Sequence, residues 1–228
     1  MTIKPLTAPL VATGVLMAAY LALRPYGDMA DPTSLEAAAA FASPRWVFAH
    51  LAGALALASL ARLALRLHDL VPSVRTRIAR STGLAGAVLV LPYYGAETFG
   101  LHAIGQAALG GDGGVMDLVA PVRDHPAALT TFGLGLLLLA VSAIVSAWAW
   151  QRNFGSAAGW PLGILAALVL PQYYLPPIGR ILFGVLYLLA AVAWLVSLPR
   201  ASWSERTRVT GEEASVVRGA GLRESGVW

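Results

Sequence analysis

Six stretches of this chain stay apolar over the length needed to cross a bilayer, and that feature limits what it can fold into. A membrane helix needs about 20 mostly apolar residues at a rise of about 1.5 Å each. The pattern predicts TM1 at Leu6–Leu23, TM2 at Arg45–Leu67, TM3 at Thr82–Ala107, TM4 at Pro126–Trp150, TM5 at Ala157–Tyr174 and TM6 at Pro177–Leu198. Of the 228 residues, 57% are hydrophobic and only 12% are charged. A soluble domain carries about 25% charged residues, so this chain has too little polar surface to cover a globule in water. A soluble enzyme and a disordered chain are excluded, and so is a nucleic-acid partner, despite the net charge of +4. The expected fold is all-α: a polytopic membrane helical bundle of about six transmembrane helices over residues 1–198. A mobile cytoplasmic tail follows over 199–228, where five arginines mix with four glutamates or other polar residues and few large apolar ones.

Basic residues orient the bundle. With both termini cytoplasmic, the inner segments hold Lys4, Arg62, Arg66, Arg75, Arg77, Arg80, Arg152 and the tail arginines, 12 of the 16 basic residues. The outer side holds Arg24, Arg45, Arg123 and Arg180, beside Asp28, Asp31, Glu36, Asp112, Asp117 and Asp124. The excess of Lys and Arg on one side predicts an N-in/C-in topology in the inner (plasma) membrane of a bacterium. Lys4 before an apolar run also fits a signal peptide, but Asp28-Met29-Ala30 lacks the small residue a cleavage site needs, so TM1 is read as an uncleaved span. There is no cysteine, which removes disulfides and thiolate chemistry.

Leu89-Val90-Leu91-Pro92-Tyr93-Tyr94 in TM3 has an echo in TM5, Leu168-Val169-Leu170-Pro171-Gln172-Tyr173-Tyr174, 79 residues on. Two readings stand: a duplicated helical hairpin (TM2–TM3 and TM4–TM5), or coincidence in a Leu/Val-rich chain. Each proline lacks an amide hydrogen and is expected to kink its helix. Gly83 and Gly86, Gly95 and Gly100, and Gly133 and Gly135 are expected to let helices approach closely.

Ionisable groups inside a span are costly and are functional candidates by default. Here they are His50 in TM2, Glu97 and His102 in TM3, and Arg180 at the start of TM6. At the helical rise, His50, Glu97 and Arg180 lie roughly 7, 9 and 5 Å below the outer boundary. Tyr173 and Tyr174 lie near the same level, and Tyr93 and Tyr94 share the Glu97 face of TM3 at i−4 and i−3. The candidate ligand-binding set is therefore His50, Tyr93, Tyr94, Glu97, His102, Tyr173, Tyr174 and Arg180.

Four readings of this set compete. Glu97 can pair with Arg180 or His50 in a structural network, because a buried charge needs a partner. It can serve a small-molecule or proton-linked transport site. His50 and His102 can ligate a haem across two helices; no other cofactor and no metal site is expected, since no metal-binding spacing occurs. Finally, Glu97 can act as the catalytic general acid of an enzyme on a lipid or prenyl substrate, with Tyr93, Tyr94, Tyr173 and Trp46 around an apolar cavity. His68 and His125 are expected to be solvated. Trp148, Trp150, Trp160 and Trp194, with Trp46 on the other side, read as interface anchors. Gly110–Gly114 reads as a flexible outer loop. No nucleotide-binding or nucleophile-elbow motif occurs.

Trp46-Val47-Phe48-Ala49-His50-Leu51, the Arg-rich inner loop and Tyr94-Gly95-Ala96-Glu97-Thr98-Phe99-Gly100-Leu101-His102 resemble small uncharacterised multi-pass membrane proteins of actinobacterial type. The resemblance covers TM2 and TM3, about a third of the chain, and it implies no activity and transfers no catalytic residue. The leading expectation is a protein that binds or transports a small molecule or lipid through an outward-facing polar cavity around Glu97. The alternatives are a lipid enzyme and a structural subunit of a homo-oligomer or membrane complex. In every case the bilayer is the first partner.

Overall fold

A computed structural model describes residues 4–198; the reading of 199–228 as a cytoplasmic tail lies outside the described residues. Every regular element among the described residues is helical. The long elements are α1 (Thr7–Leu23), α3 (Pro44–Leu70), α4 (Val74–Gly95), α7 (Pro126–Phe154) and α9 (Pro177–Val196). Between them lie the short helices α2 (Leu35–Ala42), α5 (Leu101–Leu109), α6 (Val119–Arg123) and α8 (Trp160–Ala167).

Local chemistry sets the helix starts. The Ser34 hydroxyl accepts from the Ala37 N–H, and Ser43 caps α3 with Pro44 in its first turn. Ser73 and Thr76 form a reciprocal capping box at the start of α4. That box also answers the question of His68, whose Nδ1 lies 2.9 Å from Thr76 Oγ1 rather than in open solvent.

The segments α1, α3, α4, α7, α8 and α9 form a closed ring in that order, with α9 returning to α1. Neighbours run antiparallel. Gly83 and Gly86 of α4 face Ser142 and Gly135 of α7, and Gly14 and Gly184 join α1 to α9. Thr13 of α1 donates to the Ala56 carbonyl of α3 at 3.0 Å and meets Tyr187 of α9 at 3.2 Å. A Cβ on Gly86 would stand 2.6 Å from the Gly135 carbonyl oxygen, so these two backbones touch because neither residue has a side chain. The other expected small-residue contacts differ. A Cβ on Gly95 or Gly133 would meet nothing within 4 Å, and one on Gly100 would meet a single Val122 methyl at 3.7 Å.

Four helical stretches are long and apolar enough to cross a membrane: Pro44–Leu70, Val74–Leu109, Pro126–Phe154 and Pro177–Val196. Thr7–Leu23 is apolar but, at 17 residues, shorter. Large apolar side chains stay exposed around the ring, among them Phe48, Leu55, Val88, Leu137, Leu186 and Leu189. In water that would be a large apolar patch; against acyl chains it is the expected outer face. The protein is a helical membrane bundle.

TM5 departs from the expected continuous helix. A 3-10 turn at Ala157–Gly159 leads into α8, which stops at Ala167; residues 168–170 turn, and Pro171–Tyr174 form another 3-10 turn. Pro171 cannot donate to the Ala167 carbonyl, although Leu170 before it keeps helical backbone angles of φ −68° and ψ −52°. Pro92 is handled differently: α4 runs through it, and the chain widens into a π-helical turn at Ala96–Gly100 before α5. Two copies of one motif therefore take two shapes.

Beyond the ring, α2 packs on α5, and Ala37, Phe41, Trp46, Leu101, Ile104, Met116 and Val119 form an apolar cap. The Gly-rich segment is part of this structured cap: Gly111 makes a turn at φ +108°, and Gly113–Leu118 form a 3-10 helix. Trp46, Trp150 and Trp194 are buried in the fold and are not interface anchors. Trp148 stays half-exposed beneath the Arg75 guanidinium, 4.5 Å from its ring centre.

Candidate functional site

The cap and ring together enclose a cavity of about 490 Å³ at the end of the bundle where α1 stops and α3 begins. All six wall segments reach it: Tyr20 and Arg24 from α1, His50 from α3, Tyr93 and Tyr94 from α4, Phe132 from α7, Tyr173 from the turn after α8, and Arg180 from α9. Antiparallel packing explains the convergence, because alternate helices bring opposite ends to the same level.

Glu97 sits on the π-helical turn and is 6% exposed. Its cation is neither Arg180 nor a lone His50, as the sequence led one to expect. Arg123 of α6 reaches down and donates to Glu97 Oε1 through Nε at 2.8 Å and to Oε2 through Nη2 at 3.4 Å. The Tyr93 hydroxyl donates to Oε1 at 3.2 Å. His50 Nδ1 lies 2.8 Å from the Trp46 carbonyl; a carbonyl only accepts, so Nδ1 carries the hydrogen. His50 Nε2 then faces Glu97 Oε2 at 3.7 Å. The Trp46 indole donates to the Glu97 carbonyl at 2.8 Å.

A second carboxylate joins the network. Asp28 Oδ2 accepts from Arg24 at 2.7 Å and from Arg123 at 3.0 Å. Arg24 lies over the Trp46 ring at 4.9 Å, and Arg123 over Phe41 at 5.4 Å. Burial works against the charge of Arg123, and the Glu97 and Asp28 carboxylates more than offset it, so its guanidinium is held above its ordinary range. Arg24, Asp28, Arg123 and Tyr20 are site residues that spacing alone does not reveal. The available signals are modest: Arg24 and Asp28 stand four apart, and Val115–Val122 is apolar enough to anchor a loop that carries Arg123 inward.

Arg180 has different partners from those expected. Its Nε donates to the Leu175 carbonyl at 3.0 Å and its Nη2 to the Tyr173 carbonyl. Tyr94 and Tyr173, equivalent positions in the repeated motif, meet hydroxyl to hydroxyl at 3.3 Å. Tyr174 lines the mouth of the cavity and is 89% exposed. His102 is the candidate that the fold separates from the others. Its Nδ1 contacts the Phe41 carbonyl at 2.7 Å in the α2–α5 cap, and it does not line the cavity. The two histidines expected to share a haem thus hold different carbonyls, with only His50 at the cavity. No group of three or more metal-ligating side chains occurs among the described residues. A larger hollow at the opposite end, about 690 Å³, is lined by Trp148, Gln151 and Trp160, with Arg152 its one charged lining residue.

Chemically, the site presents aromatic rings and fixed charges to one cavity. Both Glu97 oxygens already accept hydrogen bonds, which suits a positioning carboxylate better than a proton-donating one. No protein family, curated protein or solved structure matches this chain.

Proposed function

We propose that this membrane protein binds a small molecule or lipid in the cavity beside Glu97. The volume of the cavity supports the reading: about 490 Å³ lies within the range of small-molecule sites, roughly 300–1,000 Å³. The lining also has the expected mixture, with rings of Tyr20, Tyr93, Tyr94, Phe132 and Tyr173 beside a few fixed polar groups. A solely structural ion-pair network needs no such space. An enzyme reading with Glu97 as general acid has less support, because Arg123 donates to both of its oxygens and Tyr93 to Oε1, an arrangement that favours the ionised carboxylate.

The excess of basic residues at the α3–α4 turn and the end of α7 supports a plasma-membrane location with both termini cytoplasmic. In that orientation the cavity lies toward the outer leaflet.

Native mass spectrometry of the full chain, released from mild detergent after purification from its own membrane, tests the reading. A retained small-molecule or lipid mass that is lost in Tyr94→Trp, which fills the cavity, is expected. A protein released without any bound mass, or only within a heteromeric complex, overturns it in favour of a structural subunit.

A further inference from the structure

We infer that the ligand is an anionic amphiphile. Its head is a single carboxylate or phosphate group seated at Arg180, and its apolar tail leaves the bundle between α7 and the broken end of α8. This rests on the binding reading above and names the chemical class of the ligand.

Charge is the first ground. Three guanidinium groups line the cavity against two carboxylates. Asp28 takes Arg24 and Arg123, and Glu97 takes Arg123. Arg180 is left over. It is only 8% exposed, its hydrogen bonds go to backbone carbonyls, and its other neighbours are the Tyr26 and Tyr173 rings at 5.8 and 5.9 Å. Among the described residues it has no carboxylate partner. A buried cation without a counter-charge is costly in a membrane. An anionic oxygen supplies that charge, and the planar guanidinium fork suits carboxylates and phosphates alike.

The wall is the second ground. Helix α8 ends at Ala167, so between α7 and α9 at the level of the cavity the ring has a turn and the single 3-10 turn Pro171–Tyr174 in place of a continuous α-helix. On the α7 side, a Cβ on Gly133 would meet no atom within 4 Å. Leu129, Gly133, Leu170 and Tyr174 line this edge, and none is charged. Leu129 is 43% exposed and Tyr174 89%, so the cavity reaches the outer face of the bundle there. The adjoining side chains Leu134, Leu137 and Leu168 are exposed and apolar, as a lipid-facing band requires. Arg180, bonded to the Tyr173 carbonyl, stands beside the opening. Head and tail therefore have separate places.

The full-length protein in a non-ionic detergent is challenged in native mass spectrometry with oleate and with oleoyl phosphate. Monoolein supplies the same chain with a neutral head; acetate and inorganic phosphate supply the head without a chain. Occupancy by oleate or oleoyl phosphate, at least about tenfold above monoolein and above both small anions, is expected. Arg180→Gln lowers the affinity for the charged probe by about tenfold or more and brings it to the monoolein level. Arg180→Lys, which keeps the charge but loses the fork, falls between. Gly133→Trp blocks the opening and lowers occupancy by the chain-bearing probe without lowering the unfolding temperature. Monoolein bound as well as oleate, or oleate indifferent to Arg180→Gln, overturns the anionic head while leaving the cavity a binding site. Acetate or phosphate bound as well as their oleoyl counterparts, with no effect of Gly133→Trp, assigns a free anion and overturns the lateral tail. No occupancy by any probe, with an empty protein from its own membrane, removes the inference together with the binding reading.

Discussion

Arg123 and Glu97 are 26 positions apart and meet at 2.8 Å, a loop-borne guanidinium against a carboxylate on a π-helical turn. The contact ties the cap to the bundle, because α6 supplies one partner and the turn after α4 the other. It also leaves Arg180 without a carboxylate.

Removing either side of this pair has unequal consequences. Arg123→Gln leaves Glu97 a buried acid without its guanidinium, while Asp28 keeps Arg24 at 2.7 Å, and is expected to cost about 3 kcal/mol or more, since breaking a buried pair leaves an uncompensated charge. Glu97→Gln costs less, because Arg123 keeps Asp28 at 3.0 Å. Arg180→Gln leaves the unfolding temperature unchanged or raises it. Thermal unfolding of the three variants in one detergent gives the order; Arg180→Gln as the most damaging of the three would reverse the assignment.

Two glycines on α4 and α7 predict opposite tolerance. Gly86→Ala places a methyl 2.6 Å from the Gly135 carbonyl oxygen and forces α4 from α7, at a cost of about 1–3 kcal/mol by analogy with overpacked cores. Gly133→Ala lies in open space and is expected to change stability by less than about 0.5 kcal/mol. Retention of monomeric protein after heating, followed by size-exclusion chromatography, separates the two.

The Tyr94–Tyr173 contact joins the repeated motif to itself. Tyr94→Phe and Tyr173→Phe each lose the shared 3.3 Å hydroxyl contact, and are expected to cost about 1 kcal/mol apiece. Because one hydrogen bond is removed twice, the double variant should cost less than the sum of the single ones. Full additivity in a double-mutant cycle would show that the two hydroxyls do not interact.

The absence of cysteine makes orientation directly measurable. Asp112→Cys lies in the cap and Arg77→Cys at the start of α4, at opposite ends of the bundle. In intact cells an impermeant maleimide is expected to label the first, and to label the second only after the membrane is opened. The reverse pattern would place the cavity toward the cytoplasm.

Much of the bundle was legible because hydropathy over about 20 residues acts locally. The boundaries of α1, α3, α7 and α9 follow from apolar runs and from Ser43, Pro44, Pro126 and Pro177 near their starts. The convergence of His50, Glu97, Tyr93, Tyr94, Tyr173 and Arg180 was also legible, since depth along a helix can be counted at a fixed rise. His102 failed that test. Depth does not tell which way a ring faces, and the widened turn at Ala96–Gly100 shifts every later side chain around the axis.

The sequence alone determined that this chain is a helical membrane bundle and that its costly polar groups gather toward one end, because solvent selects for apolar length before any helix has a neighbour. Tertiary structure decided which charges pair. Arg24, Asp28 and Arg123 looked like loop residues until the α2–α5 cap and Val119 turned them inward, and Pro92 and Pro171 looked alike until their neighbours gave one a π-helical turn and the other a break. Ion pairing and proline accommodation depend on what lies within a few ångströms across the fold, and those distances do not exist along the chain.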